Sequence, residues 1–470
     1  MRMTARGWMA MVGALAAAAG CDASYQQFLN GIPTGTKAST EPVQVYLGID
    51  GLSRQAFDRA RERGAFAGWN SADLVTPFPG TSDYVWTRIM RAGSLGGYEI
   101  QYFDARQNKI ENGGLSGLAQ HPLHEGIAGT FPCYQRFDFV GDGETWQLKS
   151  YLDPMAALPE TLDALFNTVA GRGRTQAQVL AYVINIDVAG HQGGLEQAVL
   201  MLLEIDRRIR VFQNDQPRRF AFTIFADHGN AHIKSTLVDP MQILRDVGIE
   251  PVESLAAANA PAATPRRLEA VPIVHVRVNY VALHAAARDV AAIAARSSGH
   301  PQVDLAVARV TDGGAATASR FGVWRRGQPF FFSRDAAGEI VIEEPDAWTW
   351  LGVDFTASRS ADGRTARLGD RDAFQATLGS PYPDIFYRVA TAFTHPAAQF
   401  PADVLLSLPD DVASYGFSVP GAGDARAVDG FHGSLSRAST MSVVASQEQA
   451  LPPALRGDDL MDLFPAMAPR

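Results

Sequence analysis

Three short stretches of this chain put carboxylates and imidazoles at the point where an apolar run stops. Phe220 to Phe225, rich in aromatic and β-branched residues, is followed at once by Ala226-Asp227-His228-Gly229. Val179 to Ile186 runs in the same way into Asp187, and His191 comes four residues later across Gly190. Val43 to Ile49 ends in Asp50-Gly51. A run without alternation is what a parallel strand buried on both faces requires. Chemistry in open α/β sheets gathers at the carboxyl ends of such strands, and a Gly there gives the chain freedom to turn. Carboxylate oxygen and imidazole nitrogen are together suitable ligands for a Zn-like divalent metal. A single Asp-His-Gly is equally well explained as a capped strand end with a satisfied His. Repetition of the pattern is what favours metal chemistry.

Hydroxyls occupy a fourth position. Val75-Thr76-Pro77-Phe78-Pro79-Gly80-Thr81-Ser82 is a Pro/Gly-rich turn leading into a helix expected to run to about Met90. Free backbone N–H groups at a helix start suit a phosphate and lower the cost of an alkoxide. Thr81 or Ser82 could equally act only as the helix cap, the commoner use of such residues. Late in the chain, Asp429-Gly430-Phe431-His432-Gly433-Ser434 supplies one more imidazole in a Gly-flanked loop.

The elements that must position these groups follow a strand, ligand, helix order. Amphipathic segments are expected over Arg54 to Arg63, Leu158 to Val169 and Leu195 to Phe212. From Gly96 to Pro159 the chain is Gly-rich, with aromatic clusters around Tyr98, Tyr102, Phe103, Phe137, Phe139 and Trp146, and reads as a substrate-facing excursion. Its His121 and His124 are read as structural rather than metal-binding, and His275, alternating with apolar residues, as packed. The α+β pattern after Asn230 reads as an inserted cap, with the core resuming at Pro401 to Leu408 and ending in the strand Met441 to Ala445. The expected division is a signal over 1–21, a tether over 22–41, a core over 42–235 and 401–450 interrupted by a cap over 236–400, and a tail over 451–470.

Length and composition suit one large domain with an inserted subdomain: 470 residues, 46% hydrophobic and 19% charged. A formal net charge of −9 and the lack of a basic run argue against a nucleic-acid partner. Arg2 and Arg6 precede an apolar run from Trp8 to Ala19, too short to span a membrane and typical of an export signal. It ends in Ala18-Ala19-Gly20-Cys21, which resembles the lipobox of bacterial lipoproteins and implies a lipid on Cys21. With Cys133 the only other thiol, acylation of Cys21 excludes an intramolecular disulfide. The expected location is the cell envelope, lipid-anchored on the periplasmic side.

Taken together, Asp50-Gly51, the hydroxyl turn, Asp187-x-x-Gly190-His191-x-x-Gly194, Asp227-His228-Gly229 and His432-Gly433 occur in an order that resembles the alkaline phosphatase superfamily. The similarity is closest to its nucleotide pyrophosphatase/phosphodiesterase branch. The resemblance implies an α/β fold, an alkaline-phosphatase-like three-layer sandwich with a mostly parallel central sheet and an inserted α+β cap subdomain. It implies two divalent metal ions, Zn-like, one held by Asp187, His191 and His432 and the other by Asp50, Asp227, His228 and the nucleophilic hydroxyl. The implied activity is hydrolysis of a small-molecule phosphate ester, a diester or a monoester. For the nucleophile, spacing in the family points to Ser82 and residue type to Thr81. The Cys-x-Pro-x-Arg pattern of sulfatases is absent. The Asn and the Thr-Gly and His-Gly pairs of the phosphodiesterases are also missing, since Val85, Trp86 and Arg91 to Gly97 stand in that region. A lipid-anchored binding or scaffold protein with a vestigial site, or a phospho-group transferase of the same superfamily, are the alternative readings.

Overall fold

A computed structural model describes residues 41–111, 132–141, 149–150, 152–256, 267–275, 278–310, 319–414 and 429–467. The export signal, Cys21, the tether, His121, His124 and Trp146 lie outside the described residues. Among the described residues no helix is long and apolar enough to cross a membrane.

The functional stretches meet on a six-stranded sheet ordered Ala454–Arg456, Asn70–Val75, Met441–Ser446, Phe220–Phe225, Val43–Ile49, Gln178–Val183. Val43–Ile49 pairs in parallel with Gln178–Val183 on one side and Phe220–Phe225 on the other. Met441–Ser446 is antiparallel to both of its neighbours, while Ala454–Arg456 is parallel to Asn70–Val75. The sheet is therefore parallel except for one strand.

Both faces of this sheet are covered, which explains why its strands read as continuous apolar runs. Val43, Val45, Leu47 and Ile49 pack with Ala56, Phe57, Leu162, Leu165, Leu202 and Ile205. Those partners come from the helices Arg54–Glu62, Pro154–Arg172 and Asn185–Asp215. Tyr46, on the opposite face of the same strand, joins Leu180, Tyr182, Phe225, Trp86, Leu460 and Phe464. Here the helix Ser82–Ile89 lies against the sheet. A Cβ on Gly48 would come within 2.7 Å of the Trp86 ring, so the missing side chain lets the indole sit directly on the strand.

The second sheet has nine strands, ordered Thr365–Leu368, Ile340–Glu343, Gln328–Arg334, Ser319–Arg325, Leu305–Val310, Val404–Ser407, Tyr280–His284, Leu268–Ile273, Ile249–Pro251. It is antiparallel apart from its last pair. Val404–Ser407, expected to return the chain to the first sheet, instead lies between Tyr280–His284 and Leu305–Val310 in the second. A buried apolar run has the same signature in either sheet, so the sequence pattern does not say which one it joins. The return comes later, at Met441. The stretch read as a tail supplies the edge strand Ala454–Arg456 and the residues Leu460 and Phe464 of the buried face.

Candidate metal and nucleophile centre

Asp50, Asp187, His191, Asp227, His228, His432 and Ser82 meet beyond the carboxyl ends of the parallel strands. Asp50 directly follows Val43–Ile49, and Asp227 and His228 directly follow Ala226 at the end of Phe220–Phe225. Asp187 and His191 sit in the first turns of the helix that opens at Asn185, just past Gln178–Val183. The sequence suggested a Gly turn between them. They instead lie one helical turn apart on the same face, and the chain bends only at Gly194, where φ is 63°. His432 comes from the loop before Met441–Ser446.

Two clusters of buried ligand-type residues result, Asp187/His191/His432 and Asp50/Asp227/His228. In the first, His191 Nε2 is 3.1 Å from Asp187 Oδ2 and His432 Nε2 is 3.8 Å from Asp187 Oδ1. In the second, His228 Nε2 lies 3.1 Å from Asp50 Oδ1 and 3.5 Å from Asp227 Oδ2. The clusters touch through the His228 and His432 rings, stacked with centroids 3.6 Å apart and planes at 11°. Gly51 also joins them. It takes a positive φ of 63°, and a Cβ there would fall 2.6 Å from Asp187 Oδ1.

Backbone groups aim the ligand atoms. The Nδ1 of His191 faces Gly430 O at 2.6 Å, that of His432 faces Gly80 O at 2.7 Å and that of His228 faces Gly229 O at 2.9 Å. A carbonyl can only accept, so each Nδ1 carries a proton and Nε2 is the ring atom turned toward the carboxylates, available as a ligand once the ring is neutral. Asp227 Oδ1 accepts from the N–H groups of Gly51 at 3.2 Å and His228 at 3.0 Å. Its Oδ2, like Asp187 Oδ1, is buried with no hydrogen-bond partner. Buried carboxylate oxygens left without a donor, together with imidazoles anchored at Nδ1 so that Nε2 faces them, fit divalent cations well.

The two hydroxyls point in different directions. Ser82 Oγ lies 3.2 Å from Asp50 Oδ1 and 3.2 Å from His228 Nε2. Thr81 Oγ1 turns away and donates to Tyr98 O at 3.1 Å. Thr81 is the N-cap residue by backbone position, yet its side chain makes no capping hydrogen bond. Ser82, at the first helical position, is therefore the hydroxyl that faces the cluster.

The electrostatics follow from crowding three carboxylates in the interior. Burial and the neighbouring Asp50 push the Asp227 carboxyl well above its ordinary range. Burial disfavours a charged His228, but Asp227 and Asp50 outweigh it and raise the imidazole to about 10. Burial likewise opposes ionisation of Asp187, yet His191 and His432 hold its carboxyl well below the usual range. His432 is pushed well down by burial and by the adjacent His228. Beside Ser82, burial and Glu99 raise Asp83 to about 7.

Solved structures that a comparison matches to the chain include ectonucleotide pyrophosphatase/phosphodiesterases, at low identity. Murine ectonucleotide pyrophosphatase/phosphodiesterase 5 is 7% identical, with 90% of this chain and 94% of that chain covered and a TM-score of 0.41. An inactive form of the murine protein in complex with AMP gives 8%, 91%, 95% and 0.43 in the same order. The human counterpart gives 9%, 90%, 93% and 0.41. No protein-family description and no curated protein sequence matches the chain.

Some neighbours of the site went unrecognised in the sequence. Tyr182, the penultimate residue of its strand, donates its hydroxyl to Asp50 Oδ2. A phenol inside an otherwise aliphatic buried strand was the available signal, because a buried Tyr hydroxyl needs a partner. Tyr134 reaches Asp83 Oδ1 at 3.0 Å. His275 is buried as expected, with Nδ1 3.1 Å from Glu99 Oε2, and stands apart from both clusters. Around Cys133, the excursion lies along the sheet edge. Asp138 N donates to Leu180 O at 2.7 Å and Tyr182 N to Phe139 O at 2.8 Å.

Proposed function

We propose that this chain is a two-metal phosphoric ester hydrolase in which Ser82 is the nucleophile, built on an alkaline-phosphatase-like three-layer core with the nine-stranded unit as its cap. The observation that supports it best is that three Nδ1-anchored imidazoles and three buried carboxylates form two adjoining groups, one of which reaches the Ser82 hydroxyl through Asp50 and His228. Asp187, His191 and His432 would hold one ion, and Asp50, Asp227, His228 and Ser82 Oγ the other. When bound, Zn-like ions supply Lewis-acid neutralisation of the nucleophile, the leaving oxygen and the non-bridging oxygens.

The chain's own residues do the rest. Asp50 Oδ1 accepts the Ser82 hydrogen bond and holds the hydroxyl against the Asp50/Asp227/His228 group. The helix beginning at Ser82 presents its first N–H groups to the phosphate. Ser82 Oγ bonds to phosphorus as the bond to the leaving alcohol breaks. Water then cleaves the phosphoserine, returning the hydroxyl and releasing phosphate or a monoester. Asp50, Asp227 and His228 are almost completely buried, which keeps bulk water from the group that faces Ser82.

A diester fits better than a monoester. Outside the two clusters, Asp83 follows Ser82 in the helix and Glu99 acts on Asp83. Among the described residues no Arg or Lys forms an ion pair with Asp50, Asp83, Glu99, Asp187 or Asp227. The second negative charge of a monoester would therefore meet carboxylates rather than a guanidinium. Purified protein lacking residues 1–21 should bind two Zn equivalents and hydrolyse bis(p-nitrophenyl) phosphate with a kcat/KM at least about tenfold above that for p-nitrophenyl phosphate, a preference of about 1.4 kcal/mol. Metal uptake without hydrolysis of either ester would favour a binding protein.

For the envelope location we propose that Cys21 carries a lipid, supported by the Ala-Ala-Gly-Cys junction after the apolar run. Cys21→Ser should abolish incorporation of labelled fatty acid. An unsubstituted chain that takes up no label would refute the anchor.

A further inference from the structure

The Asp50 carboxylate sits on a short stem whose terminal rotation is soft. To serve Ser82 and His228 it must present Oδ1 and keep Oδ2 occupied elsewhere. Oδ1 lies 3.1 Å from His228 Nε2 and 3.2 Å from Ser82 Oγ, whereas Oδ2, 3.5 Å from Ser82 Oγ, accepts the hydroxyl of Tyr182. Asp50 and Tyr182 lie on adjacent parallel strands, with Tyr182 in register with Gly48.

The phenol ring has little freedom. It is fully buried and wedged between Trp86 at 5.5 Å, Phe137 at 5.5 Å and Tyr134 at 5.4 Å. Trp86 in turn sits where a Cβ on Gly48 would clash. Register, ring packing and the bare Gly48 thus fix the Tyr182 hydroxyl at one depth beneath Asp50. Tyr134 offers a useful contrast. It is also a buried tyrosine of this cluster, but its hydroxyl goes to Asp83, which belongs to neither ligand group.

We propose that Tyr182 is a positioning residue for the Asp50/Asp227/His228 site, fixing the Asp50 carboxylate so that Oδ1 is directed at the ion and at Ser82. This rests on the two-metal reading above. Loss of the hydroxyl should weaken one site and spare the other, because the Tyr182 hydroxyl bonds to Asp50, a member of one ligand group alone. Outer partners of metal ligands are worth about 10-fold to 100-fold in metal affinity.

The test is Zn titration of the metal-stripped protein against a chromophoric chelator, with Tyr182→Phe and Tyr134→Phe measured beside the unsubstituted chain, and thermal unfolding of each metal-free protein. Tyr182→Phe should weaken one of the two equivalents by about 10-fold to 100-fold and leave the other within about twofold. Tyr134→Phe should leave both within about twofold. Unchanged affinities in Tyr182→Phe would overturn the assignment. So would equal losses at both sites in the two variants with a matching fall in Tm, since that would make both hydroxyls parts of the aromatic core alone. An unsubstituted chain that takes up no Zn would instead refute the two-metal reading, and the inference with it.

Discussion

Ser82→Ala should lower turnover by on the order of 10³-fold or more while both metal equivalents largely remain bound, since loss of a covalent nucleophile removes the pathway rather than one contact. The direction of the side chain makes this specific. Ser82 Oγ is within 3.2 Å of both Asp50 Oδ1 and His228 Nε2, and Thr81 Oγ1 is committed to Tyr98 O. Thr81→Ala removes one buried hydroxyl-to-carbonyl bond, a cost of about 1 kcal/mol in stability, and should change kcat by less than about tenfold. Single-turnover kinetics and metal analysis on the two variants check both statements. If Thr81→Ala is the dead enzyme and Ser82→Ala the live one, or if a trapped phosphoryl or vanadate adduct maps to Thr81, the two hydroxyls exchange roles and the metal assignment stands.

Direction was the missing information at this turn. Spacing marked both hydroxyls as candidates, and nothing in Gly80-Thr81-Ser82 says which one the helix start turns inward. The ligands themselves were legible for a definite reason. A parallel strand covered on both faces reads as an uninterrupted apolar run, so the first ionisable residue after it marks the sheet's carboxyl edge, as Asp50, Asp187 and Asp227 do. Their division into two groups was implied only by family resemblance, because strand order is a tertiary property. The placement of Asp187 and His191 on a helix was hidden by Gly190, Gly193 and Gly194, which read as breakers. Gly inside a helix costs about 1 kcal/mol relative to Ala. Close approach explains it at Gly190, where a Cβ would lie 3.0 Å from Asn230 Nδ2.

Asn70–Val75 was missed and Val404–Ser407 misplaced, for opposite reasons. Asn70–Val75 opens with Asn70-Ser71-Ala72-Asp73, in which Asn and Asp are depleted in strands, and is exposed at its start, so no run announced it. Val404–Ser407 announced itself clearly but belongs to the other sheet. Both cases show where local pattern stops. It fixes how buried an element is, and pairing is decided by residues far away in the chain. Tyr182 belongs to the same class, because its partner Asp50 is 132 positions away and only the parallel register of their strands brings them together.

His432→Ala should release one metal equivalent and reduce turnover by roughly 10² to 10³-fold, more than the about 10-fold to 100-fold expected from disturbing a partner one step removed from the metal. The ring acts at three places. Its Nε2 lies 3.8 Å from Asp187 Oδ1, which is buried without a hydrogen-bond partner. Its Nδ1 donates to Gly80 O at 2.7 Å, immediately before Thr81 and Ser82. Its plane stacks on His228 at 3.6 Å, so the imidazole of the second cluster loses a wall when it goes. The backbone survives the change, because His432 O accepts from Asn279 N at 2.8 Å irrespective of the side chain, and the fold should persist with a small fall in Tm. Metal analysis after dialysis, followed by turnover at rising Zn concentration, separates the roles. Loss of a ligand is a mass-action defect, so raised Zn should restore occupancy and much of the rate. Restored occupancy without restored rate would assign the damage to the Gly80 anchor and the Ser82 turn. Full occupancy and full rate in His432→Ala at sub-stoichiometric free Zn would remove His432 from the site, and with it the pairing of Asp187 and His191 with a residue 241 positions beyond His191.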